Sequence, residues 1–328
     1  PTALQLGNIA ITWNPAVGTP MVHSLKIHRD GTVIDLLADA QFEILRREEQ
    51  LEVAMLDGLL TASLQVPDLR IGDEFELSYT VPSTNPTLPD RDSGMLFIGN
   101  DPPPGRLSLA LSWDDGAEPR TLLTSDLDGF TRREPNLILI DADTPGPFNV
   151  PRNAPPRYQW QRMLQFTDFE SWNAVSDRFH TLFAEARATA ADSPVRREAA
   201  RIAATHSGEA ARAAAALELA ARQVRYIFVG LNAGNMTPAT ADQTWERRYG
   251  DCKGKTALLL ALLDALGIEA EAVVVSNAGL DDGMNERLPN PGLFDHVLVR
   301  AVIDGQTRWL DATLPAVTRP GADPVFPY

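Results

Sequence analysis

The period of hydrophobic and polar positions changes partway along the chain. Through residues 1–150 the apolar residues come in short runs that alternate or carry β-formers: "LKIHRDGTVIDLLA", "TASLQVPD", "DEFELSYTV", "GRLSLALSW" and "NLILIDAD". Turn formers separate them at Asp30-Gly31, Ile71-Gly72-Asp73, "DPPPG" (101–105) and Asp128-Gly129, which predicts strands joined by tight turns. Such regular spacing predicts a sandwich or open sheet. The stretch "TPGPFNVPRNAPPR", 144–157, holds five prolines. It reads as an extended linker between two domains, 1–150 and 151–328.

From residue 167 the period becomes helical. Thr167 and Glu170 stand at capping-box spacing ahead of Trp172, Val175, Phe179, Leu182 and Phe183, predicting a first helix. Ser193-Pro194 opens a second, the Ala-rich stretch 208–223 makes a third, and "VRYIFVG", 224–230, switches to strand character. Then comes "RRYGDCKGKTALLLALLDALGI", 247–268. Its stripe of Leu258, Leu259, Leu262, Leu263 and Leu266 predicts a buried central helix from about Cys252 to Leu266, stopped by Gly267. A strand over 269–276 follows, then a loop over 277–292, mobile-looking and of a length that often carries function. A hairpin closes the pattern, 294–303 and 306–313 about an Asp304-Gly305 turn.

Charge and composition narrow the function. The 328 residues carry a formal net charge of −15, which repels phosphate backbones and anionic lipid and so speaks against nucleic-acid and membrane-surface partners. It suits a soluble protein acting on peptides, small amides or cationic partners. No apolar run of about 18 residues predicts a membrane span. The chain starts at Pro1 without Met, as a trimmed or mature fragment would. One cysteine excludes an intrachain disulfide and a multi-cysteine zinc site.

That single thiol, Cys252, falls in the first turn of its predicted helix, where backbone N–H groups carry about half a positive charge and favour thiolate. Two of the three lysines, Lys253 and Lys255, add positive charge if they point toward the sulfur. A thiolate needs a proton donor for its leaving group, and His296 lies on the first hairpin strand. With Asp304-Gly305 as the turn, Asp311 sits opposite Leu298, a diagonal neighbour of His296 on the same sheet face. It can accept the imidazole N–H and fix the tautomer. Asp295 points to the other face. Taken singly, the cysteine reads as a small buried hydrophobe and the His/Asp diagonal as a surface pair; their joint occurrence favours chemistry. His23, His28 and His180 read as structural or solvated.

These residues resemble a known family. "RRYGDCKGKTALLLALLDALGIEAEAVVV", "FDHVLV" and "RWLDAT" are similar to bacterial transglutaminase-like domains of the papain-like thiol superfamily, over about residues 160–320. The resemblance implies a triad of Cys252, His296 and Asp311. Gly254 departs from the family, which often has Asp there. "HRDGTVID" and "RREEQLEVAMLDGLLTASLQVPDLRIGDEFELSYTV" resemble the β-rich domain of unknown function that often precedes such domains in bacteria. Those proteins usually look exported, which implies a periplasmic setting. The expected fold is α+β: a β-sandwich-like N-terminal domain, then a transglutaminase-like domain whose central helix packs on an antiparallel sheet.

The expected function is a cysteine-dependent acyl-group enzyme acting through a thioester on a peptide or isopeptide carboxamide, hydrolysis being favoured over amine transfer. Its partner is a peptide or protein substrate, and it needs no metal or organic cofactor. Oxyanion donors would be the Cys252 N–H together with Gln243 or Trp245, although a surface Gln and a core Trp are the competing readings. Tyr226 and Asn235 are further cleft candidates. The alternative from another class is a non-catalytic cell-envelope module for peptide binding or assembly. A metal-dependent hydrolase ranks third, for want of a ligand cluster.

Overall fold

The computed structural model describes residues 7–46, 55–56, 58–85, 87–88, 90–98, 105–143, 145, 150–229, 236–277 and 282–314. They form a mixed α/β structure of small, mostly antiparallel sheets and helices, divided into two compact units.

The first unit takes residues 1–89 together with 225–237 and 249–251. Two antiparallel three-stranded sheets form it. Asn8–Trp13 and Glu43–Leu45 flank Leu60–Gln65, while Thr32–Asp35 and Glu74–Thr80 flank Met21–Arg29. Alternation decides which face is inside: Ile9, Ile11 and Trp13 are buried, with exposed residues between them. They share one core with Leu25, Ile27, Ala62 and Val66, a sandwich-like packing of the two sheets. Asp30 and Gly31 turn the second hairpin, both at positive φ (47° and 76°), as a two-residue primed turn requires. His23 and His28 pair across strands, with Thr80 at 2.7 Å and Glu76 at 3.0 Å. Short parallel bridges join Arg225–Tyr226 to Tyr249–Gly250 and Phe228–Val229 to Met55–Leu56.

The second unit takes residues 90–224, 238–248 and 252–328. Two antiparallel sheets open it. Ser93–Phe97 and Arg120–Leu123 flank Met163–Thr167, and Arg106–Ser112 and Thr131–Glu134 flank Leu137–Asp143. Ile98, Leu127, Ile138, Ile140 and Leu164 form their common core. The helices Trp172–Arg187, Pro194–Thr205, Glu209–Gln223 and Ala241–Arg247 follow, all packed on a fifth, Cys252–Ala265. That fifth helix also packs on the sheet in which His296–Ile303 lies between Ala270–Val275 and Gln306–Leu310. It is buried on every side from Cys252 to Leu263, as an apolar helix at the centre of a unit must be.

One local expectation fails for a physical reason. The first helix is capped by Ser171, whose hydroxyl accepts from the Ala174 N–H, not by Thr167. Thr167 ends a strand instead, paired to Ser93 and Arg120, and its buried hydroxyl donates to the Pro289 carbonyl at 2.7 Å. Several described residues of the loop 277–292 bond to other segments. Arg157 holds Asp282 through its backbone and guanidinium, Gln165 accepts from the Leu288 N–H, and Ser93 donates to Asn290.

Candidate active site

The thiol is positioned by its helix. Cys252 is the first residue of Cys252–Ala265, so its N–H is one of the groups an α-helix leaves without an intrahelical acceptor. The far end is fixed by a Schellman closure: Ile268 N–H bonds to Leu263 and Gly267 N–H to Asp264, with Gly267 at φ +75°. Between the ends, Leu258, Leu259, Leu260, Leu262 and Leu263 are at most 1% exposed. Each such leucine contributes about 1.5–3 kcal/mol, which holds the axis, and with it the sulfur, in place.

The imidazole and carboxylate are positioned by the hairpin. Ile303 pairs with Gln306 and Val299 with Leu310, with Asp304 and Gly305 in the turn at φ 50° and 74°. This register carries Asp311, one residue past its strand, to the diagonal of His296. His296 Nε2 and Asp311 Oδ2 lie 2.8 Å apart. The other oxygen, Oδ1, accepts from the Thr313 N–H at 2.8 Å and the Thr313 hydroxyl at 2.6 Å. With Nε2 committed to Asp311, Nδ1 is the ring nitrogen left for the sulfur, and Cys252 is close enough to His296 to raise the imidazole's pKa. Cys252, His296 and Asp311 are all buried. The structure thus brings the three together.

The electrostatics follow from that packing. Burial pulls the His296 imidazolium down, but the hydrogen bonds to Asp311 and Cys252 and their charges outweigh it and lift its pKa to about 9. Burial pushes the Asp311 carboxyl up, while the bonds from His296 and Thr313 win and hold it below its ordinary value. Lys255 does not flank the sulfur as a free charge. Its ammonium turns to the carbonyls of Val224 and Ala221 at 2.5 and 3.4 Å.

Gln243 is exposed and closes a capping box with Thr240 on the short helix Ala241–Arg247. Trp245 is buried, with the Arg248 guanidinium 3.5 Å above its ring. The hydrogen bonds of Gln243 stay on its own helix, and Trp245 lines a cavity with Ile202 and Leu219. Tyr226 pairs with Gly250, two residues before Cys252, and Asn235 lies outside the described residues. Asp295 accepts from the Asn277 N–H. Thr313 completes the site without chemistry of its own in the sequence pattern; Asp-Ala-Thr is the spacing of an Asx turn. A cavity of about 640 Å³ opens between the helix Trp172–Arg187 and the strand Ala270–Val275, lined by Trp172, Phe179, Val274 and Phe294. The thiol is not part of its wall, but Val275, next to Val274, pairs with His296. Among the described residues no group of three or more His, Cys, Asp and Glu side chains is placed to hold a metal ion.

Residues 1–129 match the family profile of a domain of unknown function with a solved structure, DUF3857. No curated protein matches the chain. Among solved structures, a candidate protease of Parabacteroides distasonis superposes with a TM-score of 0.65 at 17% identity, over 95% of this chain and 61% of that one. That likeness shows a shared fold. A candidate cysteine protease of Cytophaga hutchinsonii (TM-score 0.31, 14% identity, 67% and 66% covered) superposes too loosely to bear on the fold. So does the periplasmic domain of TgpA from Pseudomonas aeruginosa bound to ethylmercury (0.26, 14%, 92% and 92%). The chain spans less than two thirds of the length of the first two of these proteins.

Proposed function

We propose that the chain is a cysteine-dependent acyl-group enzyme of the transglutaminase-like kind, acting on peptide or isopeptide carboxamides, with Cys252 as nucleophile, His296 as acid and base, and Asp311 as its orienter. The observation that carries this is one imidazole bonded to a buried carboxylate and near enough to the chain's one cysteine for that side chain to raise its pKa. A core histidine has no need of both partners. An imidazolium with a pKa raised to about 9 keeps its proton near neutrality, where a thiolate–imidazolium pair must be stable to act.

The Cys252 sulfur attacks the carboxamide carbon and forms a tetrahedral oxyanion. The Cys252 backbone N–H is the natural first donor to it, and each such donor is worth about 3–4 kcal/mol. The C–N bond then breaks, His296 gives its proton to the departing amine, and a thioester remains. Water attacks the thioester, His296 takes the water's proton, and the acid and the thiol are released. Hydrolysis is favoured over transfer to an amine because transfer needs a dry acceptor channel. The sequence resemblance supports an exported setting, and among the described residues no helix is long and apolar enough to cross a membrane.

The test is turnover of a peptide-amide library by the wild type and by Cys252→Ala. The expected result is cleavage by the wild type and none by the variant. Equal processing by both would remove the thiol from the reaction.

A further inference from the structure

The sheet that carries His296 has an open edge. His296–Ile303 lies in its middle, and among the described residues Ala270–Val275 is paired on one side only. The ladder fixes which backbone groups are used. Val302 N–H bonds to the Glu269 carbonyl and Asp295 N–H to the Val275 carbonyl, so Glu271, Val273 and Val275 turn their backbone groups inward. Ala270, Ala272 and Val274 turn theirs outward. The Arg187 guanidinium takes the Ala270 carbonyl at 3.3 Å, which leaves the N–H and C=O of Ala272 and Val274 without a partner among the described residues. These groups lie along the cavity of about 640 Å³, whose wall includes every residue from Glu269 to Val274. Trp172 and Phe179 on the neighbouring helix line it as well, each edge-on to Phe294 with ring centroids 6.0 and 6.4 Å apart. The edge carries neither Pro nor Lys, the residues with which exposed strands ward off pairing.

We propose that this cavity is the substrate groove of the site: it takes an extended polypeptide segment, which adds to the free edge of Ala270–Val275 as a further strand and sets an apolar side chain against Trp172, Phe179 and Phe294. A strand edge offers donors and acceptors in alternation, and another extended backbone is what matches both. Side chains of an added strand alternate, so every second one meets the aromatic wall. Peptide residues i and i+2 pair with Ala272 and Val274, and the residue between them directs its N–H away. The groove leads to the chemistry, because Val275 pairs with His296. An added strand lies two strand spacings, about 10 Å, from the strand of the imidazole. About three residues of extended chain cover that distance, so the carboxamide attacked by Cys252 lies about that far beyond the paired segment. The strand pairing stands on the geometry alone; the cleavage that follows it rests on the function proposed above. The substrate class is then an unfolded or loop segment of a protein, with apolar side chains at alternate positions, rather than a small amide.

The probes are capped, fluorescein-labelled peptides of the pattern Thr-X-Thr-X-Thr, with X as Phe, Leu, Ala or Asp, read by fluorescence anisotropy on Cys252→Ala, which lacks the proposed nucleophile. The Phe and Leu peptides should bind at least about tenfold tighter than the Asp peptide. A methyl group placed on each peptide nitrogen in turn should weaken binding about tenfold or more at alternate residues and leave the residues between them within about twofold. Ala272→Pro removes one outward N–H and leaves the ladder to His296–Ile303 intact, and it should weaken the Phe and Leu peptides about tenfold as well. If that variant does not fold, the methyl scan on the unaltered edge decides alone. No binding by any of the peptides, or a methyl scan without the two-residue period, overturns the proposal. So does a dimer that Ala272→Pro dissociates, which would give the edge to a second copy of the chain. Periodic binding to Cys252→Ala with no cleavage of the same peptides by the wild type would keep the groove and remove the acyl-transfer function. Cleavage indifferent to the methyl scan would remove the groove alone.

Discussion

His296 Nε2 meets Asp311 Oδ2 at 2.8 Å across a hairpin diagonal, and this contact leaves Nδ1 as the only ring nitrogen for Cys252. The tautomer is thereby set by a carboxylate that is itself fixed by Thr313. Replacing Asp311 by Asn keeps the shape and removes the charge. In Asp311→Asn, kcat/KM on a cleaved peptide amide should fall by about two to four orders of magnitude. The basic limb of the pH profile, set by His296 near pH 9, should move to lower pH. A profile that loses height without moving its basic limb would contradict the role given to Asp311.

The same imidazole ties stability to pH. The folded pKa of His296, about 9, lies above its ordinary 6.5, so its contribution is full below pH 6.5 and is lost as pH rises through 9. Lys255 acts in the opposite sense. Its folded value of about 8 lies below 10.5, so the penalty of burying it charged is relieved as pH rises from 8 to 10.5. Lys255→Met removes the second effect and leaves the first. Its melting temperature should fall steadily between pH 6.5 and 9, while the wild-type curve flattens above pH 8. Thermal melts across that range read both. Parallel curves for the two proteins would contradict the lysine's share.

The stop of the cysteine helix is a separate matter of backbone conformation. Gly267 holds φ +75°, and a Cβ built there meets nothing within 4 Å. Gly267→Ala therefore incurs conformational strain alone, about 1 kcal/mol, or roughly 2–4 °C in Tm for a unit of this size. Denaturant unfolding should show the loss with no change in the slope of the transition.

Much of this architecture was legible in the sequence wherever one signal sufficed. Asp304-Gly305 fixed a hairpin register that the backbone follows pair by pair, and with it the His296–Asp311 diagonal. Ser193-Pro194 and Gly267 marked helix ends where the caps are found. Other features depend on contacts distant in the chain. Met163–Thr167 is a nearly wholly buried strand, but five residues after a proline-rich stretch carry too short a pattern to show it, and Thr167 reads as a cap. The anchoring of loop 277–292 relies on Arg157, Gln165 and Ser93, which no local pattern reveals. Lys255 is legible as a charge near the thiol, but its turn to a helix end some thirty residues earlier leaves no local pattern.

Alkylation of Cys252 by iodoacetamide, followed across pH by mass spectrometry of the intact chain, tests the central claim most directly. It needs no substrate, and the single cysteine makes every label unambiguous. The account predicts labelling at about pH 6 at least ten times faster than a free cysteine peptide, abolished as a rapid phase in His296→Ala. Labelling that begins only near pH 8.5, in step with the peptide control and indifferent to His296, would contradict it.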